Sequence, residues 1–342
     1  MYQRLPNSVS VQYSELMQNC VRPVSDGSNL SFKYKTINGK RYWYLYIGLG
    51  KTRREHYLGA ETQELLDQIE REKALWVADD DDRQLRRRLV DMLIAGGMSR
   101  LSVDEGKVLA LLERNGVFLA GAVLVGTLAF RAYANMLGVK WKEDTGTQDV
   151  DIGADNRYLL ALPRPKNPID LEQLILDSGL GYVPVPTLNA KEPSTSFRIR
   201  NRDFRIDALA PVRGQESARP IRLDAFQTHA TPLRHLDFLL EDFQPAVLLY
   251  QHGVLVNVPP PGRFAVHMCA VSQKRSIAFA SKTQKDLRQA EQVFEALLDI
   301  RPSEISLALD AAHAQGTKFA DLLEKGLDRI DPELARLVRK TR

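Results

Sequence analysis

Cysteine is almost missing from this 342-residue chain: Cys20 and Cys269 stand far apart, with no second thiol at metal-ligand spacing. That excludes a disulfide framework and a zinc site built on thiolates. No apolar run approaches the roughly 20 residues needed to cross a bilayer. The opening MYQRLPNSVSVQYSEL also lacks the apolar core of a signal peptide. No membrane partner and a cytoplasmic location are therefore expected. The six histidines form no His-x-x-x-His pair, which disfavours a zinc hydrolase. A Gly-x-Ser-x-Gly elbow is lacking, as is a phosphate loop of the Gly-x-x-x-x-Gly-Lys-Ser/Thr form. No internal repeat or long low-complexity tract appears.

What the chain has is the composition of a folded protein, 44% apolar and 26% charged, and length enough for two domains and a small third. The net charge of +4 and a pI near 8.9 suit a polyanionic partner, but so small an excess matters only where it is clustered.

Clustering is found early. Residues 31–58, SFKYKTINGKRYWYLYIGLGKTRREHYL, alternate aromatic and basic residues around Asn38-Gly39, a dipeptide suited to a tight hairpin turn. Lys33, Lys35, Lys40, Arg41, Lys51, Arg53 and Arg54 are interleaved with Tyr34, Tyr42, Trp43, Tyr44 and Tyr46. Two readings stand: a nucleic-acid surface carried by the basic residues with Tyr42 and Trp43, or aromatics forming the hairpin's own core under a solvated basic face. Residues 1–60 are assigned to this hairpin module and 61–97 to a helical linker. In the linker the helical pattern of Leu65, Ile69, Leu75 and Trp76 resumes at Leu85, Leu89, Met92 and Leu93. Between them, Asp79 to Asp82 with Arg83 and Arg86 to Arg88 read as a solvated helix start with no catalytic role. Gly96-Gly97 marks a boundary near residue 98.

The span 98–225 carries the chemistry. An apolar run ending at Val125 meets Gly126-Thr127, after which Leu128, Phe130, Tyr133, Met136 and Leu137 take helical spacing. Next, GTQDVDIG alternates Asp149 and Asp151 with Val150 and Ile152, which is either a metal-binding pair or an acidic strand end. The segment SFRIRNRDFRIDALAP predicts a hairpin of Phe197–Arg200 and Phe204–Leu209, with Asp207 on the face opposite Ile206 and Ala208. If the two strands are neighbours, three carboxylates converge. Such a trio repels itself unless divalent cations neutralise it, and magnesium also bridges carboxylates to substrate phosphates. Glycine at 126 lets the backbone approach closely, and a helix N-terminus points N–H groups at phosphate oxygens. Residues 226–342 read as mainly helical, with short strands at the start.

A Gly-Thr opening a helix, a later Asp-x-Asp on a strand and a third Asp on a following strand resemble the DNA polymerase beta-like nucleotidyltransferase superfamily. The likeness spans about residues 100–300 and is closest to bacterial nucleotidyltransferase-domain proteins and their abortive-infection toxin-like branch. The resemblance implies an α+β fold: a mixed sheet with flanking helices as the catalytic core, joined here to the N-terminal hairpin module and the helical C-terminal region. It implies that Gly126 and Thr127 hold the triphosphate of a substrate such as ATP, that Asp149 and Asp151 bind two Mg2+ ions (Mn2+ substituting), and that Asp207 completes the site. In SKTQKDL, Lys282 and Lys285 either face the triphosphate, with Asp286 orienting a basic neighbour, or form a solvated basic face. Arg131, one turn beyond Thr127, either reaches phosphate or makes an ion pair on its helix. Two departures stand out. The interval from Thr127 to Asp149 is long, and Met268 follows His267 in RFAVHMCAVSQKR where relatives carry lysine, so that Arg263, His267, Lys274 or Arg275 must compensate. The reaction implied is transfer of a nucleoside monophosphate to an acceptor hydroxyl with release of pyrophosphate. RNA, above all a tRNA 3′ end, is the leading acceptor, with an antitoxin protein as a possible partner. A protein or small-molecule acceptor, and an inactive nucleic-acid-binding protein on the same fold, are the alternatives.

Overall fold

A computed structural model describes residues 2–21, 30–37, 39–49, 52–143, 146–157, 169–187, 189, 191–212, 214, 219–273 and 280–342. The first part of the chain comprises β1 (Tyr2–Arg4), α1 (Asn7–Val21), β2 (Leu30–Ile37), β3 (Lys40–Leu49), β4 (Thr52–Ala60), α2 (Gln63–Ala95) and α3 (Val103–Arg114). Then come β5 (Val123–Val125), α4 (Gly126–Leu137), β6 (Val139–Trp141), β7 (Asp149–Gly153), α5 (Leu171–Leu176), β8 (Tyr182–Pro184), β9 (Ser196–Ile199) and β10 (Arg205–Pro211). They are followed by β11 (Ile221–Leu223), β12 (Thr228–Leu233), α6 (Leu236–Leu240), β13 (Gln244–Leu248) and β14 (Val254–Val258). Five helices close the chain: α7 (Pro261–Ser272), α8 (Ala280–Ile300), α9 (Pro302–Ala314), α10 (Thr317–Leu327) and α11 (Pro332–Lys340).

The central sheet has the order β11-β12-β10-β7-β5, with β9 joining β10 and β8 joining β9. β7, β10 and β12 are parallel, whereas β5, β9 and β11 pair antiparallel to their neighbours. This is the mixed sheet of the expected α+β class. β10 serves three partners because it is long: Arg205–Leu209 pair with β7 on one edge, and on the other Arg205–Asp207 pair with β9 and Leu209–Pro211 with β12. Val150, Ile152, Ile206 and Ala208 are buried behind the sheet, where α4 packs on β7. Their alternation with Asp149, Asp151 and Asp207 leaves the carboxylates on the other face.

One apolar core runs from Leu101 to Val338 and includes Phe264, Phe294 and Phe319 of the C-terminal helices. The division expected at residue 225 therefore falls inside a continuous core, and β12 beyond it is a strand of the catalytic sheet. A second, smaller core joins Val9, Tyr13 and Leu16 of α1 to Leu89 and Leu93 of α2 and Val247 of β13. There Tyr13 donates its hydroxyl hydrogen to the Val247 carbonyl (3.1 Å) and accepts from the Val247 N–H (3.0 Å). The N-terminal module is correspondingly narrower than residues 1–60: it is a three-stranded sheet, β2-β3-β4, and α1 belongs to the other core.

The linker also differs from expectation. α2 runs unbroken over 33 residues from the Thr62 cap, so Asp79 to Asp82 lie inside a helix rather than at its start. No glycine or proline interrupts the segment, and Asp82 pairs with Arg86 one turn on at 3.6 Å, which offsets the poor helix propensity of aspartate. Both cysteines are buried free thiols. Among the described residues no helix is long and apolar enough to cross a membrane.

Candidate active site

The turn after β5 sets the geometry. Val125 pairs with Asp151 across the antiparallel β5–β7 ladder, and the chain then turns through Gly126 at φ +66°, a backbone region open to glycine and unfavourable to other residues. A Cβ at this position would overlap Asp151 Oδ2. Glycine is thus required twice, for the turn and for the carboxylate beside it. Val125 makes no side-chain cap to α4, and Val125 and Gly126, at the start of the helix, line the cleft.

The convergence of carboxylates is decided by the β7–β10 register, in which Asp151 lies opposite Asp207 and Asp149 opposite Arg205. All four side chains share one face. Arg205 bridges two of them, its Nε 2.7 Å from Asp149 Oδ1 and 3.0 Å from Asp207 Oδ2, and Ser196 on β9 donates its hydroxyl hydrogen to Asp207. Burial, then the Asp207 and Asp149 carboxylates, push the Asp151 carboxyl up to about 7 against the pull of Arg205 and Lys282. Burial raises the Asp207 carboxyl too, although Ser196 and Arg205 act the other way. Among the described residues no three acidic, histidine or cysteine side chains are gathered closely enough to hold a metal as they stand. The donor set itself fits a hard cation: oxygen ligands from adjacent strands, one of them a half-buried carboxyl whose ionisation is suppressed until positive charge arrives.

Gly126, Asp149, Asp151 and Arg205 open into a cleft of about 620 Å3 that is also lined by His267 and Lys282, among others; Thr127 and the buried Asp207 are not part of its lining. Of the basic residues expected at phosphate, Lys282 lines the cleft, while Lys285 is half-buried one turn further along α8 and is not part of the lining. Arg131 is engaged elsewhere: its Nη1 lies 2.8 Å from Glu105 Oε1 and its Nη2 donates to the Arg100 carbonyl at 2.6 Å. Arg131 thus makes an ion pair rather than a phosphate contact, but its partner comes from α3 instead of its own helix, and the pair is almost fully enclosed. Arg263 is likewise held by the Phe238 carbonyl and Glu241, so it does not replace the missing lysine at Met268; besides Arg205, Lys282 is a described cation that lines the cleft and acts on Asp151 and Asp207. Lys274 and Arg275 lie outside the described residues. Arg205 and Ser196 escaped sequence reasoning, although Arg205, two residues before Asp207, carries the alternation signal that places it on the same face.

A family described as nucleotidyltransferase matches residues 104–314, more than half of the chain and every element of the cleft. The protein belongs to this nucleotidyltransferase family. It is a transferase whose substrate is a nucleoside triphosphate. No curated protein and no solved structure matches it at a significant level.

Ahead of the matched span, the nucleotidyltransferase carries the β2-β3-β4 sheet, and its two faces differ. Lys33 and Lys35 lie over the rings of Tyr46 and Tyr44 (5.7 and 4.5 Å), and Tyr57 packs against Tyr42 and Tyr44 on the same face. On the opposite face Trp43 packs on Tyr34, donates from Nε1 to Glu61 at 2.9 Å and lies under Lys73 of α2. Arg41 is there too, over Tyr34 and near Glu61. The proposed nucleic-acid residues are therefore split: Lys33, Lys35, Lys40 and Tyr42 share the tyrosine face by register, and Arg41 and Trp43 face the other way. Lys51 and the side chains of Arg53 and Arg54 lie outside the described residues.

Proposed function

We propose that this nucleotidyltransferase moves a nucleoside monophosphate from a nucleoside triphosphate to an acceptor hydroxyl of RNA, foremost a tRNA 3′ end, in a magnesium-dependent reaction. The observation that carries the reading is the presentation of Asp149, Asp151 and Asp207 on one face of adjacent parallel strands beside the Gly126 turn. The first-turn N–H groups of α4 at Gly126 and Thr127 hold the phosphates, and Lys282 offsets their charge from the opposite wall. Asp207, its carboxyl raised by burial, takes the proton of the acceptor hydroxyl as the new oxygen–phosphorus bond forms and pyrophosphate leaves. Asp149, Asp151 and Asp207 would hold two Mg2+ ions, or Mn2+ in their place, which would supply charge neutralisation at the attacking hydroxyl and at the leaving group. The protein's own contribution is positioning and electrostatics.

RNA as acceptor rests on the tyrosine face of the N-terminal sheet. On that face lie Lys33, Lys35 and Lys40, with Lys35 paired to Glu55, the single acid of residues 31–58. Lysines beside half-buried Tyr44 and Tyr46 and the exposed Tyr57 ring suit unpaired bases on a phosphate backbone. Incubation with each labelled triphosphate, magnesium and total RNA tests the reading. Labelled RNA, lost on Asp149→Ala with Asp151→Ala in a folded variant, supports it; label retained by that variant refutes the site. Label on protein redirects the acceptor, and label on nothing overturns the proposal. A partner that suppresses labelling would identify an antitoxin.

A further inference from the structure

The cleft is amphipathic. Strand register spreads its lining along the sheet: Asp149 and Arg205 stand opposite each other at the start of β7 and β10, whereas Leu233 stands opposite Pro211 at the end of β10. With Leu233 the lining includes Leu236, Leu239, Met268 and Val271, together with Arg234 and His235 on the turn between β12 and α6 and His267 next to Met268. We infer that the apolar end is the seat of the nucleobase and that His235 is the side chain that positions it. The inference rests on the nucleotidyl-transfer reading and adds a base-recognition site to it.

Three observations support the assignment. A volume of about 620 Å3 is in the range of small-molecule sites, which are typically apolar with a few placed polar groups. Phosphates and cations have no use for the leucine-rich wall, whereas a flat heteroaromatic ring gains from each apolar area it covers. Second, Leu233 remains 39% exposed at this wall while Leu236 and Leu239 beside it are buried. A ring laid in the cleft removes Leu233 from water, and the Met268 thioether is a polarisable, adaptable contact for a ring.

The third observation is backbone strain. His235 sits at φ +61°, ψ 9°, a left-handed conformation that costs a residue with a Cβ about 1 to 2 kcal/mol and that glycine adopts freely. The turn alone does not require an imidazole, so its presence calls for a role of the ring. The ring packs on Phe319, 5.0 Å away at 42°, and His235 lines the cleft between Leu233 and Leu236 in the chain. Phosphate end and apolar end belong to one cleft, so a nucleotide that reaches the carboxylates has its base directed along this wall.

The left-handed backbone also supplies a clean test, because His235→Gly deletes the ring while suiting the turn. Calorimetric titration with each of the four nucleoside triphosphates and with inorganic tripolyphosphate, all with magnesium, separates base from phosphate recognition. Wild type is expected to bind at least one nucleoside triphosphate about tenfold more tightly than tripolyphosphate, and His235→Gly to remove most of that margin with tripolyphosphate affinity unchanged. Leu233→Asn, uncharged and at an exposed position, is expected to do the same, with thermal melts confirming that both variants fold. Equal binding of tripolyphosphate and all four nucleotides by wild type, or variants that weaken both ligand classes alike, would overturn the base seat and leave nucleotidyl transfer standing. Binding of none of these ligands would overturn both.

Discussion

Asp151 Oδ2 occupies the space where a Cβ on Gly126 would stand, so the phosphate turn and the central carboxylate coexist only because residue 126 is glycine. Gly126→Ala introduces the overlap and places alanine at φ +66°. The expected result is a loss of stability of about 1 to 2 kcal/mol from the backbone alone. Nucleotidyl transfer should fall by at least about 100-fold, the scale seen when a preorganised hydrogen-bond donor is removed from an active site. Turnover and thermal melting on the same preparation check it; near-normal turnover would refute the shared geometry.

The raised Asp151 carboxyl has a definite sign. Its folded value of about 7 lies above the ordinary carboxylate value, so between about 4 and 7 the folded protein holds a proton that the unfolded chain has released. Without divalent ions, stability should decline as pH rises through that window and level off above it. Asp151→Asn should flatten the decline. Metal binding must expel the proton, so magnesium affinity should weaken below about pH 7, and calorimetry at pH 6 in buffers of different ionisation enthalpy should detect proton release that is absent at pH 8.5.

Arg205 stands as the counter-cation to Asp149 and Asp207. Arg205→Ala leaves three carboxylates to repel one another, so the metal-free variant should melt several degrees below wild type at pH 8. Added magnesium should restore more stability to it than to wild type, since bound cations replace the missing charge. An equal magnesium-induced shift in both proteins would show that the guanidinium does not share the site with cations.

Arg131, enclosed with Glu105, should behave as a structural residue. Arg131→Ala leaves a buried carboxylate unpaired and is expected to cost about 3 kcal/mol, with KM for the nucleotide unchanged below the melting transition. A raised KM in a stable variant would return Arg131 to phosphate binding.

On the N-terminal sheet, Lys33→Glu with Lys35→Glu should weaken single-stranded RNA binding and reduce the salt slope by about 0.7 for each phosphate no longer neutralised. Trp43→Ala, on the face turned toward Glu61 and Lys73, should lower stability more than RNA affinity. The reverse pattern in filter-binding and melting curves would assign recognition to the opposite face.

Much of the site is readable from the chain because its signals are local. Strand, Gly-Thr turn and helix at 123–137 follow from an apolar run, a breaker and a change of period, and the structure has them at Val123–Val125 and Gly126–Leu137. Asp149 and Asp151 on a strand, and Asp207 on the second arm of a hairpin, follow from alternation and appear in β7 and β10. The helix break at Asp79 failed because composition outweighed the lack of any glycine or proline in the segment. The start of the module at residue 1 failed, although β4 ends at Ala60, because α1 is separated in sequence from the β13 residue that it packs on.

The sequence by itself determined which side chains share a face on each element, since periods of 2 and 3.6 are properties of the local backbone. Only the tertiary structure decided which faces meet. The parallel register that sets Asp207 opposite Asp151, the pairing of Arg131 with Glu105 on α3, and the turn that brings His235 over the cleft depend on contacts between residues far apart in the chain. Those contacts are selected by burial of a common core rather than by any local pattern.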